Sequence, residues 1–327
     1  MAQILEDTNI KALVIGAAGF VGNYLIDCIR EELLCDVVAT KLSKDNFYRE
    51  DVEVCNLDIM DKSAIISLMK KYRPQYIFHL AAQSSVAYAW KNPVFTAEVN
   101  VNGGFNVIDA IRLLDYKPKV LLVGSGEEYG YIEDSTKLIK ESDVVHPGNV
   151  YAATKACQNM IATVYSRAYG LNLVMVRAFN HIGPNQTAAF VVSDFCKQVA
   201  MIEKGLQQPI IKVGNLDAKR DFTDVRDVVR AYVQIIQFGQ GGETYNVGRG
   251  KAVAISDLLK MILSRSNIDI EIQVDVARLR PVDVPIIAPD ISKIYAATGW
   301  KPLISLESSI DDILNYWRSK SELEIKE

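Results

Sequence analysis

The stretch Gly16-Ala17-Ala18-Gly19-Phe20-Val21-Gly22 constrains this chain more than any other. The apolar run Ala12-Leu13-Val14-Ile15 leads into it, and a pattern of helical period follows, with Val21, Leu25, Ile26 and Ile29 on one face. Strand, glycine turn and helix in that order make an anion site. Glycine lets the backbone turn sharply and approach a ligand, and the first amides of the new helix point outward without partners. The spacing is G-x-x-G-x-x-G, not the common G-x-G-x-x-G. Glycines also serve ordinary tight turns. A triplet directly behind a buried strand near the N-terminus nevertheless predicts a dinucleotide, with its pyrophosphate at the helix start.

The alternation continues. Residues 36–40 read as a second strand ending in Thr40-Lys41. An acidic residue there would bond the ribose 2′-hydroxyl of NAD. A cation suits a 2′-phosphate, so NADP(H) is favoured over NAD(H); the other reading of Lys41 is a solvated loop lysine. Residues 62–72 are helical in pattern, and 75–79 form a short buried strand. Leu80-Ala81-Ala82-Gln83-Ser84 follows, with small side chains that leave room for a ligand at the strand end. A helix is expected from Pro93 to Leu114, a strand at 119–123, a helix from Tyr151 to Tyr169 and a strand at 172–177. Regular alternation predicts an α/β fold: a Rossmann-type doubly wound parallel sheet with right-handed crossovers. A helix at 187–204, a short strand at 210–213 and helices within 290–320 make a smaller C-terminal substrate lobe, while residues 243–247 return to the main sheet. No linker separates the halves, so they interleave. Residues 1–178 form the dinucleotide-binding domain, with return segments at about 225–248, and 179–327 form mainly the substrate lobe.

Composition excludes several classes. The 327 residues are 49% hydrophobic and 23% charged, with a net charge of −4 and no basic tract, which argues against nucleic acid as a partner. No apolar stretch reaches the ~18 residues needed to span a bilayer. Residues 1–9 carry no targeting signature. The five cysteines are odd in number, scattered and without a C-x-x-C pair, and only three histidines accompany them. A disulfide framework and a metal site are therefore not expected, and a reducing cytoplasm is.

The chemistry gathers after the strand at 119–123, which runs into Gly124-Ser125-Gly126-Glu127-Glu128-Tyr129-Gly130. Further on, Tyr151-Ala152-Ala153-Thr154-Lys155 opens a helix, and positions i and i+4 share one face. A tyrosine ordinarily titrates near pH 10. A neighbouring ammonium favours its phenolate, and a serine hydroxyl from the strand end is placed to hold a substrate oxygen. Alone, Y-x-x-x-K is common on solvated helix faces; behind a glycine turn and a strand-end serine it reads as a proton-transfer site.

Residues 16–22, Ser125, Tyr151 and Lys155 resemble the extended short-chain dehydrogenase/reductases that act on nucleotide-sugars. Narrower stretches resemble the GDP-mannose branch of that family: Leu80-Ala81-Ala82-Gln83-Ser84, Gly126-Glu127-Glu128-Tyr129-Gly130, Phe179-Asn180-His181-Ile182-Gly183-Pro184, Val213-Gly214-Asn215 and the run from Arg220 to Asp227. The resemblance implies cofactor contacts from Gly16, Gly19, Phe20, Val21, Gly22, Lys41, Asp58, Ile59, Leu80, Ala81, Ala82, Tyr151, Lys155 and His181. It implies substrate contacts from Ser84, Ser125, Asn180, Asn215, Arg220 and Arg280, the two arginines on the diphosphate. Catalysis falls to Ser125, Glu127, Tyr151 and Lys155. One departure is Asn149-Val150 before Tyr151, where many relatives have Ser-Pro.

The reaction so implied is NAD(P)H-dependent reduction of the C4 keto group of a GDP-4-keto-6-deoxyhexose, giving GDP-D-rhamnose or a close relative. The alternative is GDP-mannose 4,6-dehydration, or another nucleotide-sugar dehydratase or epimerase reaction, with Glu127 taking the C5 proton in dehydration. Against it stand Ser125, where the family's dehydratases carry Thr, the lack of their longer arginine-bearing loop across residues 40–51, and Asp221-Phe222-Thr223-Asp224. A dinucleotide-sensing protein without catalysis is a further alternative, but such a protein would ordinarily lose the tyrosine or lysine. The resemblance also implies a homodimer in which helices 94–114 and 151–169 pair across a two-fold axis as a four-helix bundle.

Overall fold

The computed structural model describes residues 10–132, 137–278 and 286–326. The chain opens with β1 (Lys11–Ile15), α1 (Phe20–Glu32), β2 (Asp36–Lys41), β3 (Glu53–Asn56), α2 (Lys62–Tyr72) and β4 (Tyr76–His79). Next come α3 (Val86–Lys91), α4 (Pro93–Ala97), α5 (Gly104–Arg112), β5 (Lys119–Val123), α6 (Val150–Tyr169) and β6 (Leu173–Ala178). Then follow β7 (Asn180–Ile182), α7 (Val191–Glu203), β8 (Ile210–Val213), β9 (Lys219–Asp224), α8 (Val225–Phe238) and β10 (Thr244–Val247). The chain finishes through β11 (Ala252–Ala254), α9 (Ile255–Leu263), β12 (Glu271–Val274), β13 (Ile286–Ile287), α10 (Ser292–Thr298), α11 (Leu306–Ser319) and α12 (Glu322–Lys326).

Among the described residues the main sheet has seven strands in the order β10-β6-β5-β4-β1-β2-β3, every pair parallel. Its central strands are near-continuous apolar runs because both faces are covered. Leu13, Ile77 and Leu122 pack with Ile65 of α2 and with Val107 and Ile108 of α5 on one face. Val14, Phe78 and Leu121 pack with Leu25 and Ile29 of α1 and with Val228 and Tyr232 of α8 on the other. The strand order reverses between β1 and β4, so the crevice at their C-terminal ends is where a ligand of a doubly wound sheet lies. The smaller lobe has β9 flanked by β11, β13 and β7, a two-stranded β8–β12 sheet, and a core from α7, α9 and α11.

Two expected elements differ. The helix expected at 93–114 is three pieces. Asn92-Pro93 separates α3 from α4, and residues Glu98–Gly103 form a π-helical stretch before α5. The cause is Asn100, 1% exposed. Its Oδ1 accepts from the Gln83 amide at 2.8 Å, and its Nδ2 donates to the Gln83 carbonyl and Thr154 Oγ1, each at 3.0 Å. The extra residue of the wide turn, with Gly103 and Gly104 beyond it, brings that side chain to the loop after β4. The helix expected at 187–204 begins later, at Val191, because the preceding residues form the turn after β7.

Candidate functional site

The glycine turn is tied to the sheet by two bonds to the end of β2: Gly16 N–H to Thr40 Oγ1 at 3.1 Å and Ala17 N–H to the Thr40 carbonyl at 2.8 Å. Gly16 has φ +87°, and a Cβ there would lie 2.7 Å from the Ala81 backbone. At Gly22 a Cβ would lie 1.9 Å from the Ala17 carbonyl oxygen. These two glycines let the turn fold onto itself and onto the loop after β4. Gly19 is different: beside its Cβ position only Gly16 O comes within 4 Å, at 3.6 Å. No side chain caps α1, so its first amides and the open space at Gly19 make the cradle a pyrophosphate needs. The residues fit a dinucleotide.

Around this cradle the structure gathers most of the expected cofactor set. Phe20 and Val21 start α1, and Leu80, Ala81 and Ala82 follow β4. The His181 ring lies parallel to Phe20, 4° between planes and 6.0 Å between centroids, with Nδ1 3.2 Å from the Phe179 carbonyl. Burial pushes its pKa below the usual range. Ile59 is buried after β3, and Asp58 Oδ1 accepts from the Met60 amide at 2.9 Å.

Beyond β2 lies a cavity of about 520 Å³ lined by Lys41, Asn46, Phe47, Tyr48, Arg49, Val52, Val54 and Asn56. Lys41 lines it while its Nζ donates to the Asp45 carbonyl at 2.7 Å. The loop is not without an arginine of its own. The loop is short, yet Arg49 reaches the cavity, gripped by Asp51 at 2.6 and 2.9 Å and by Asp27 at 2.7 Å.

At the end of β5, Ser125 caps the turn Gly126–Tyr129, its Oγ accepting from the Glu127 amide at 3.2 Å. Asn149 caps α6, Oδ1 accepting from the Ala152 amide at 2.9 Å, and its Nδ2 donates to Glu127 Oε2 at 3.1 Å. The residue standing in place of the family's serine-proline thus holds the carboxylate two positions before Tyr129. Tyr151, in the first turn of α6, is 8% exposed.

The expected coupling of Tyr151 to Lys155 is corrected. Lys155, 3% exposed, donates Nζ to the Val123 carbonyl at 2.8 Å. Burial holds the Tyr151 phenol above its ordinary range; the Ser125 hydroxyl opposes this, and Glu128 and Glu127 add to it. Burial also pushes Lys155 down to about 8, against Glu128. The phenol is therefore a proton donor at neutral pH, and the lysine is still mostly an ammonium there.

The expected substrate residues fall on several elements. Asn180 is on β7, in register with Phe222 of β9. Asn215 is exposed in the turn after β8, Oδ1 accepting from the Asp217 amide at 3.0 Å. Arg220 is buried on β9, with Nη1 on the Lys219 carbonyl at 2.9 Å. Ser84 is exposed in the loop after β4. Arg280 lies outside the described residues.

Sequence reading passed over Glu128. It is fully buried, accepting from the Ser125 amide at 2.8 Å, Asn159 Nδ2 at 2.9 Å and Arg177 Nε at 2.9 Å. The signal was present: Ser125-x-x-Glu128 is a capping box. Asn100 gave none, since only the fold brings it to Gln83. Among the described residues no cluster of three or more His, Cys, Asp or Glu side chains could hold a metal, and no helix is long and apolar enough to cross a membrane.

With this geometry in place the likenesses to known proteins are specific. The family description GDP-mannose 4,6 dehydratase matches residues 13–313. A GDP-6-deoxy-D-mannose reductase of Pseudomonas aeruginosa is 32% identical over 247 residues, 76% of this chain and 81% of the relative. A structure of RMD from Pseudomonas aeruginosa complexed with NADPH superposes with TM-score 0.81 at 28% identity, covering 95% of this chain and 99% of that one. The UDP-glucose 4-epimerase of Thermus thermophilus in complex with NAD gives TM-score 0.86 at 26% identity, covering 95% and 100%. A glycine cradle, a strand-end serine and a Tyr-x-x-x-Lys helix on this fold, with that match across the chain, place the protein in the GDP-mannose 4,6-dehydratase family.

Proposed function

We propose that the protein is an NADPH-dependent reductase of a GDP-4-keto-6-deoxyhexose, forming GDP-D-rhamnose or a close relative. The observation that carries this reading is Tyr151 at the start of α6: a buried phenol whose pKa burial holds above its ordinary range, with the Ser125 hydroxyl opposing that shift. Carbonyl reduction needs a proton donor at that place. Bound NADPH supplies the hydride. Tyr151 gives its proton to the developing C4 alkoxide, Ser125 bonds the same oxygen, and Lys155 holds the nicotinamide ribose. Arg220 and Arg280 bind the diphosphate, arginine's planar fork matching its oxygens. Ser84, Asn180 and Asn215 complete the sugar-nucleotide wall. Residues 1–178, with the return at about 225–248, hold the cofactor, and 179–327 hold mainly the substrate. Five free thiols fit the reducing cytoplasm.

The dehydratase reading is favoured by the family description and by Glu127, a carboxylate in the place of the C5 base. One comparison separates the two. The wild type is expected to reduce GDP-4-keto-6-deoxymannose with NADPH and to give no sustained dehydration of GDP-mannose. Glu127→Gln should keep measurable reduction, because no C–H proton is abstracted. Robust GDP-mannose dehydration, lost in Glu127→Gln, would move the protein to the dehydratase branch.

Cofactor preference is read from the cavity beyond β2. Lys41→Asp replaces attraction for a 2′-phosphate by repulsion at close range. NADPH affinity should fall about 10- to 100-fold while NADH affinity barely moves, as measured by fluorescence titration. Equal losses for both would mean that Lys41 serves only its own loop.

A homodimer is the expected assembly. Val94, Phe95 and Phe105 of the α4–α5 region and Met160, Val164 and Tyr169 of α6 are exposed apolar side chains on elements that pack together. A self-complementary two-fold contact would cover them as a four-helix bundle. Sedimentation at micromolar concentration should give twice the chain mass, and a single-chain mass would refute the contact.

A further inference from the structure

Asn149 and Glu127 join the start of α6 to the turn after β5. Asn149 is the N-cap of α6, its Oδ1 accepting from the Ala152 amide at 2.9 Å. That bond settles which way the side chain faces, since its Nδ2 can only donate and is turned outward. Nδ2 donates to Glu127 Oε2 at 3.1 Å. The backbone of Glu127 is fixed by its own turn: its amide donates to Ser125 Oγ at 3.2 Å, and its carbonyl accepts from the Gly130 amide at 3.1 Å. Gly126 before it lies so close to Phe179 that a Cβ there would be 2.9 Å from the ring. Only the side chain of Glu127 is left to swing, and Asn149 holds its end. The carboxylate is thus set beside two residues that the proposed reaction uses, Ser125 and, two positions beyond Asn149, Tyr151.

A ketone held there carries a hazard. The carbons flanking the C4 carbonyl, C3 and C5, bear acidic C–H bonds, because the enolate left by proton loss is delocalised onto the carbonyl oxygen. Donors that stabilise charge on that oxygen during hydride addition stabilise an enolate as well. Enolisation then needs only a base within reach of a C–H proton, and a carboxylate beside Ser125 and Tyr151 is such a base. The step balances without an oxidant or reductant. The carboxylate takes the proton, the C–H electron pair moves to the carbonyl oxygen, and a solvent proton later returns to the carbon. A proton returned to the wrong face would invert that carbon before the hydride arrives. A reductase that makes one product must keep the carboxylate from those bonds.

We propose that Asn149 is a positioning residue that sets specificity: its capped amide holds the Glu127 carboxylate against the start of α6, away from the C3 and C5 protons, so that the keto sugar is reduced without enolising. The proposal rests on the reading of the protein as a reductase of a GDP-4-keto sugar. It gives a chemical reason for asparagine at a cap position where serine, threonine or aspartate would bind the Ala152 amide as well. Of these four, asparagine alone has separate atoms for the two tasks, an oxygen for the helix and an N–H donor for the carboxylate.

The test is hydrogen exchange in deuterium oxide. With NADP⁺ in place of NADPH no hydride is available, so GDP-4-keto-6-deoxymannose remains a ketone while it visits the site. Deuterium entering C5 removes the C5 proton signal and collapses the 6-methyl doublet to a singlet in the proton NMR spectrum; deuterium at C3 removes the C3 signal. The wild type should show no exchange above the protein-free rate. Asn149→Gly removes the donor while placing at the cap a residue that also starts helices well. Its exchange should exceed that of the wild type by about 10-fold or more, the usual worth of a hydrogen bond to a charged group. Adding Glu127→Gln to Asn149→Gly removes the base and should return exchange to the protein-free rate. Reduction is followed in parallel by loss of nicotinamide absorbance with NADPH. Exchange by the wild type at a rate near that of its reduction would overturn the proposal, and this measurement needs no variant to fold. An asparagine that only caps α6 would leave Asn149→Gly reducing the sugar with exchange unmoved, which also overturns it, as does exchange that survives Glu127→Gln. A wild type that binds NADPH and reduces no GDP-4-keto sugar sinks the proposed function itself, whereas a working reductase with unmoved exchange sinks only the role of Asn149.

Discussion

Tyr151→Phe is expected to lower turnover of a GDP-4-keto-6-deoxyhexose by about 10²–10⁴-fold, the usual worth of a positioned proton donor, with NADPH affinity almost unchanged. The phenylalanine ring fills the same buried space at the start of α6. What is lost is the hydroxyl and the proton that neutralises the alkoxide. Initial rates by loss of nicotinamide absorbance, beside a fluorescence titration of the cofactor, separate the two effects. Near-normal turnover would remove Tyr151 from the mechanism, and a parallel loss of affinity would make its role structural.

The second large effect concerns stability. Glu128→Ala should destabilise the protein by about 3–5 kcal/mol, because removing one partner leaves a buried charge uncompensated. Arg177 donates Nε to Glu128 and Nη1 to Tyr129 Oη, each at 2.9 Å, and Tyr129 in turn donates to Asn246 Oδ1 at 2.7 Å. The Ser125 and Asn159 donors are orphaned by the same change. The Tm should drop by several degrees or more, and activity should fall with it because the Ser125 amide loses its anchor. Combining Glu128→Gln with Arg177→Met removes both charges and should cost less than Glu128→Ala alone. If the double variant is the less stable, the pair is not what holds the turn.

These two residues also mark what the chain discloses unaided. Tyr151 was legible because a helix period fixes its relation to Lys155, and the glycine turn because a tight backbone needs glycine whatever surrounds it. The parallel sheet was legible from apolar runs alternating with helical patterns. The charge relation between Tyr151 and Lys155 was not, because spacing says nothing of burial. In the folded protein desolvation outweighs neighbouring charge, and the ammonium turns to Val123. The break within residues 93–114 was hidden for a related reason. Its cause, the contact of Asn100 with Gln83 and Thr154, is tertiary, so the local pattern still reads as one helix. Arg49 lay in a loop whose length was weighed and whose reach was not.

The place of β10 has a consequence for how the molecule comes into being. β6 is buried along its whole length, yet its outer neighbour in the sheet, β10, begins only at Thr244. As the chain leaves the ribosome, β6 must wait as a naked edge while α7, β8, β9 and α8 are made. An unpaired apolar edge invites pairing with another chain, and contacts of such long sequence separation form slowly. The seven-stranded sheet therefore cannot be severed after residue 178 and left to stand alone. Its last strand is carried on the far side of the smaller lobe's first elements, so the two halves are bound to one birth order.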